Sequence, residues 1–190
     1  MKGLYGMADA SFGDPVALGT LLLEVPLCAL QLRAKDWPTE RVAQALRTLH
    51  PLCVRAGVPL IVNDHAELAA LADGLHLGQD DGPFPPDCGL RGRSTHDLLQ
   101  LQRAQEEGVD YVGFGPVFST ATKRSAGHGK GLDRVAEVTL AATVPVVAIG
   151  GITRARLPEL RATGVDAWAV ISDILAAADP LSAARALAQP

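Results

Sequence analysis

The chain has 190 residues, 48% of them apolar and 20% charged, and 17 Lys and Arg set against 21 Asp and Glu give a formal charge of −4. That length suits one well-buried domain spanning 1–190 and is short for two. With no basic excess and only four Phe, two Trp and two Tyr, the composition offers neither a cationic stripe for a phosphate backbone nor a base-stacking platform, so a nucleic-acid partner is not expected.

From the N-terminus, MKGLYGMADASFGD has no sustained apolar stretch, and Leu18–Leu30 is interrupted by Gly19, Thr20, Glu24 and Pro26. Neither a signal peptide nor a membrane span is expected. Cys28, Cys53 and Cys88 are odd in number, widely spaced and without a C-x-x-C pair, which predicts reduced, buried thiols in a cytoplasmic protein. Short β-rich runs follow one another along the chain: LYGM from Leu4, CALQLR from Cys28, VPLIVN from Val58, GLHLG from Gly74, GLRGRS from Gly89, DYVGFGPVF from Asp110, PVVAIGG from Pro145 and AWAVIS from Ala167. Helical periodicity is predicted over 39–55, 96–107, 133–142, 154–162 and 181–188, and Gly57, Gly108 and Gly164 sit where helices commonly end.

Alternating strand and helix implies parallel pairing, because only a crossover brings the chain back for the next parallel strand. Eight such runs predict an α/β fold, a single (β/α)8 TIM barrel. The rival is an open doubly wound sheet, which normally carries G-x-G-x-x-G after its first strand; LYGMADASFGD has no such turn. The length is tight for a barrel, so the third and fourth helical units are expected to be shortened. Residues 64–76 leave space for a couple of turns, and GPFPPDCG holds too many prolines to be a helix.

Barrel active sites form at the C-terminal ends of the strands. In QLRAK, Gln31, Arg33 and Lys35 alternate with Leu32 and Ala34, so two cations and an amide share one face of an extended segment. Asn63 and Asp64 end the third run, and Asp80 and Asp81 follow the fourth. Carboxylates at neighbouring strand ends beside a cationic strand suit Mg2+ with a phosphorylated substrate, although each aspartate alone could cap a helix or fill a turn. His65 and His76 have no zinc spacing; His76 reads as a packed strand residue, and His50, His96 and His128 as surface, cap or loop residues. Gly150 and Gly151 allow close backbone approach, and Ile171 with Ser172 could open a short helix whose N–H groups meet an anion. Asp173 complicates that site, since its charge would repel a phosphate unless it points away.

Taken in order, QLRAK, VND, HLGQDD, GRSTH, GFGPVFSTATK, AIGGI and VIS make the chain resemble the thiamine-phosphate synthase and thiazole tautomerase family over essentially its whole length. The resemblance implies a transferase coupling hydroxymethylpyrimidine pyrophosphate to hydroxyethylthiazole phosphate, with thiamine monophosphate and pyrophosphate as products. It assigns Gln31, Arg33, Lys35, Asn63, Ser94 and Lys123 to the pyrimidine substrate, with Arg33, Lys35 and Lys123 catalytic. It assigns Asp64 and Asp81 to Mg2+, and Thr120, Thr122, Gly151, Ile171 and Ser172 to the thiazole phosphate. Ala34, Ala121 and Asp173 depart from the family pattern, which usually has Glu, Pro and a small residue there. The alternatives are a thiazole tautomerase-like isomerase, which Pro116 disfavours because that branch carries a histidine there, and a non-catalytic binder of thiamine intermediates. Small phosphorylated molecules are the expected partners, no membrane is expected, and a homo-oligomer is left open.

Overall fold

A computed structural model describes residues 1–120 and 128–189. Eight parallel strands close into a barrel in chain order. They are β1 (Gly3–Asp9), β2 (Ala29–Arg33), β3 (Leu60–Asn63), β4 (Gly74–Leu77), β5 (Leu90–Thr95), β6 (Tyr111–Phe114), β7 (Val146–Ile149) and β8 (Ala167–Ala169). Pairing of β1 with β8 completes the ring, so no strand keeps a free edge. The TIM-barrel reading holds, and six of the eight β-rich runs contain their strands; β1 extends to either side of LYGM, and β5 runs one residue past GLRGRS.

The two-residue period of each strand sorts side chains into two cores. Tyr5, Met7, Ala29, Ile61, Tyr111, Val147, Ala167 and Ala169 point inward and pack together inside the barrel. The alternate residues, among them Leu4, Leu30, Leu32, Leu60, Val62 and Leu75, face the surrounding helices in the larger outer core. Each such fully buried aliphatic side chain contributes about 1.5–3 kcal/mol.

The helices are α1 (Pro15–Leu22), α2 (Thr39–Ala56), α3 (Leu98–Glu106), α4 (Leu132–Ala141), α5 (Leu157–Arg161), α6 (Ser172–Leu175) and α7 (Pro180–Ala188). α1 has no counterpart among the helices expected from sequence. Asp14 caps it, accepting a hydrogen bond from the Val16 N–H, and Pro15 takes the first turn. Its interior Gly19 argues against a helix locally, yet a Cβ there would lie 2.8 Å from Leu49, so the glycine admits α2 at close range. The expected shortening is observed: a 3-10 segment, Ala66–Leu71, replaces the third helix, and no helix joins β4 to β5.

In place of that fourth helix, one outward-facing arginine organises the connection. Arg93 on β5 donates to the carbonyls of Gly78 at 2.7 Å and Gly82 at 3.0 Å, and its Nε donates to Glu107 at 3.0 Å. Its guanidinium also lies 4.5 Å from the ring centre of Phe84. The connection therefore has a charged anchor where a helix would have supplied apolar packing. No helix among the described residues is long and apolar enough to cross a membrane.

Candidate active site

A cavity of about 380 Å3 opens where the strands end. Inward parity delivers Gln31, Arg33 and Lys35 to it from β2 and its continuation, Asn63 from β3 and Ser94 from β5, while Asp64 and Asp81 reach it from just past β3 and β4. Thr120, Gly151, Ile171 and Ser172, which follow β6, β7 and β8, line the same space. The structure thus gathers every described residue that the resemblance assigns to the site, while Asp80 does not line the cavity; Thr122 and Lys123 lie outside the described residues.

At the floor of the cavity runs a buried hydrogen-bond chain that the sequence reading did not anticipate. Gln31 Nε2 donates to the Tyr5 hydroxyl at 3.0 Å, and the Tyr5 and Tyr111 hydroxyls are 2.8 Å apart. His76 Nδ1 lies 3.1 Å from the Tyr111 hydroxyl, and its Nε2 lies 3.0 Å from Ser94 Oγ. Burial raises both phenol pKa values, so the hydroxyls stay protonated and can act as donors. Glycines on β5 and β6 make room for these rings: a Cβ at Gly92 would fall 2.1 Å from Tyr111, and one at Gly113 would fall 3.2 Å from His76. His76 is the packed strand histidine expected. His96 is more than a surface, cap or loop residue, because it lines the cavity and its Nδ1 lies 2.7 Å from the Gly115 carbonyl.

Two ion pairs set the charge of the site. Arg33 Nη1 donates to Asp9 Oδ2 at 2.6 Å across paired strand ends. Lys35 Nζ sits 2.9 Å from Asp64 Oδ2, and both of these residues line the cavity. Asp64 holds a left-handed backbone, φ 65°, and its N–H donates to the His76 carbonyl at 3.0 Å. It does not cap the segment that follows: His65 occupies the N-terminal position and makes no side-chain cap bond. Asp81 Oδ2 accepts from the Gly78 N–H at 2.6 Å, so Asp81 belongs both to a turn and to the cavity wall.

Among the described residues, no cluster of three or more His, Cys, Asp or Glu is arranged to hold a metal. Two oxygen-bearing carboxylates lining one cavity still fit Mg2+, which takes one or two carboxylates and completes its shell with phosphate oxygens and water. Asn63 Nδ2 is buried with no hydrogen-bond partner, a donor at the cavity wall that an acceptor on a ligand would satisfy.

Gly151, φ 63°, takes the left-handed form, and a Cβ there would lie 2.7 Å from the Ser119 carbonyl. The loop after β6 is pinned to it: Val117 and Phe118 donate backbone bonds to the carbonyls of Ile149 and Gly150 at 2.9 and 3.0 Å. Ser119 Oγ accepts from the Gly129 N–H at 3.4 Å. Asp173 is turned to structural use, as its Oδ2 accepts from the Arg154 N–H at 3.0 Å and stabilises the turn after β7.

Known proteins match this chain in sequence and in fold. A family model described as thiamine monophosphate synthase matches residues 14–174. A thiamine-phosphate synthase of Herpetosiphon aurantiacus is 41% identical over 96% of this chain and 93% of its own length. One from a Synechococcus strain is 45% identical over 87% of this chain, which spans 49% of that longer protein. The solved thiamine phosphate pyrophosphorylase of Pyrococcus furiosus superposes with a TM-score of 0.89 at 31% identity, covering 97% of this chain and 93% of its own. By sequence and by structure, the chain belongs to the thiamine-phosphate synthase family.

Proposed function

We propose that the chain couples hydroxymethylpyrimidine pyrophosphate to hydroxyethylthiazole phosphate, releasing pyrophosphate and forming thiamine monophosphate. The observation that carries this reading is the convergence on one cavity of Arg33, Lys35, Asn63 and Ser94 from β2, β3 and β5 with Thr120, Gly151 and Ser172 from the ends of β6, β7 and β8. One group suits a pyrophosphate and the other a separate phosphate, which is what a two-substrate coupling needs.

The demanding step is ionisation of the bond between the pyrimidine methylene carbon and the pyrophosphate oxygen. Arg33 and Lys35 offset the charge that grows on the departing oxygen, and Lys123, outside the described residues, is assigned to the same charge. Asp64 and Asp81 would hold Mg2+, which when bound neutralises charge on the pyrophosphate. Gln31 and Ser94 are fixed by the buried tyrosine and histidine chain and hold the pyrimidine in one orientation. Thr120, Thr122, Gly151, Ile171 and Ser172 would secure the thiazole phosphate, so that the thiazole nitrogen faces the methylene carbon. No general base or covalent nucleophile is required. Pro116 forms part of the cavity wall and brings no proton-transfer group, which weighs against a tautomerase.

Incubating the purified chain with both substrates and Mg2+ should give thiamine monophosphate, and omitting Mg2+ should abolish it. Absence of product where an authentic synthase works would overturn the reading. Isomerisation of a thiazole carboxylate phosphate without the pyrimidine substrate would favour the tautomerase.

A further inference from the structure

We propose that Asp9 is a positioning residue for Arg33, fixing the guanidinium so that it meets the pyrophosphate of the pyrimidine substrate. The inference rests on the coupling reading above. Asp9 ends β1 and is 1% exposed, and its backbone pairs in register with Arg33 at the end of β2. Each carboxylate oxygen has a separate task. Oδ1 accepts from the Ser11 N–H at 2.9 Å and the Ser11 hydroxyl at 2.6 Å, which fixes the plane of the carboxylate. Oδ2 accepts from Arg33 Nη1 at 2.6 Å.

Arg33 lines the cavity and Asp9 does not, so the carboxylate stands behind the guanidinium. A phosphate can approach Arg33 without displacing its partner. Among the described residues only Nη1 has a partner, which leaves Nη2 and Nε as a planar fork for two ligand oxygens. The Lys35–Asp64 pair is built differently, since both partners line the cavity and a ligand there meets them together.

The test is a double-variant cycle on the full chain. Asp9→Asn should lower kcat/KM for the pyrimidine pyrophosphate by about 10- to 100-fold, while KM for the thiazole phosphate changes less than about twofold. In an Arg33→Gln background the same change should cost no more than about twofold, because the group it orients is gone. Equal losses in both backgrounds, or matching rises in both KM values, would show a merely structural carboxylate and overturn the proposal. Should Asp9→Asn fail to fold, Ser11→Ala keeps the charge and loosens only its anchoring. A loss of about two- to fivefold confined to the Arg33 background supports the proposal, and no loss overturns it. Calorimetry with inorganic pyrophosphate separates this inference from the coupling reading. Weaker binding by Asp9→Asn and by Arg33→Gln supports the positioning role even if the wild type forms no thiamine monophosphate; undiminished binding by Asp9→Asn overturns it.

Discussion

Asp64 shows how much one side chain's usefulness depends on its backbone. Its φ of 65° is disfavoured for residues carrying a Cβ, with Asn and Asp the best tolerated, and that conformation places the carboxylate beside Lys35 at the cavity wall. Asp64→Asn should therefore keep the backbone and the thermal midpoint nearly unchanged while Mg2+-dependent coupling falls by at least about 100-fold. Asp64→Ala adds a backbone cost of about 1 kcal/mol, visible in urea unfolding. Equal Mn2+ binding by wild type and Asp64→Asn would remove Asp64 from the metal site. The position could be named from sequence because it ends a strand run; its backbone conformation could not, because VND carries no glycine to announce it. Asp9 was within reach of the same strand-end argument. It shares the inward face of β1 with Tyr5 and Met7, but the β-rich run LYGM ends at Met7, two residues short of it.

Among the elements, the connection between β4 and β5 departs furthest from a regular barrel. The prolines of GPFPPDCG rule out a helix, but nothing local shows what replaces it, since the replacement is a guanidinium on the next strand. Arg93→Met should cost about 2–4 kcal/mol, because Glu107 and the Gly78 carbonyl lose a buried, charged partner. Urea unfolding would measure the loss. Limited proteolysis should then cleave within 78–87 in the variant before it cleaves the wild type. Mg2+ affinity should also fall, because Asp81 lies in this connection; an unchanged affinity would show that the loop holds its shape without Arg93. The unpredicted α1 has a similar cause. Its Asp14-Pro15 start was visible in the sequence, but Gly19 makes sense only once Leu49 of α2 is seen packed against it.

At the scale of the whole molecule, the alternation of runs was enough for the barrel, and strand parity was enough to bring the polar strand ends together. The bonds that cross the barrel interior were not readable, because they join residues far apart in the chain. Tyr5 and Tyr111 are 106 positions apart, and neither lies in a motif, yet their hydroxyls meet at 2.8 Å. This pair ties stability to pH. Burial raises both phenols above their ordinary 10.0, and it raises the Cys28 and Cys53 thiols from 9.0 to about 11. In each case the unfolded chain releases its proton at lower pH than the folded chain does. The stability these groups contribute is complete below about pH 9 and is lost as pH rises through the folded values. The thermal midpoint should be level between about pH 7 and 8.5 and fall from about pH 9. Cys53→Ala should delay the first part of that fall, and the double variant Tyr5→Phe, Tyr111→Phe should lessen the decline above about pH 10, each relative to its own midpoint at neutral pH. If both variants lose stability with the same pH profile as the wild type, these buried groups do not control alkaline unfolding, and the linkage between the barrel interior and pH is wrong.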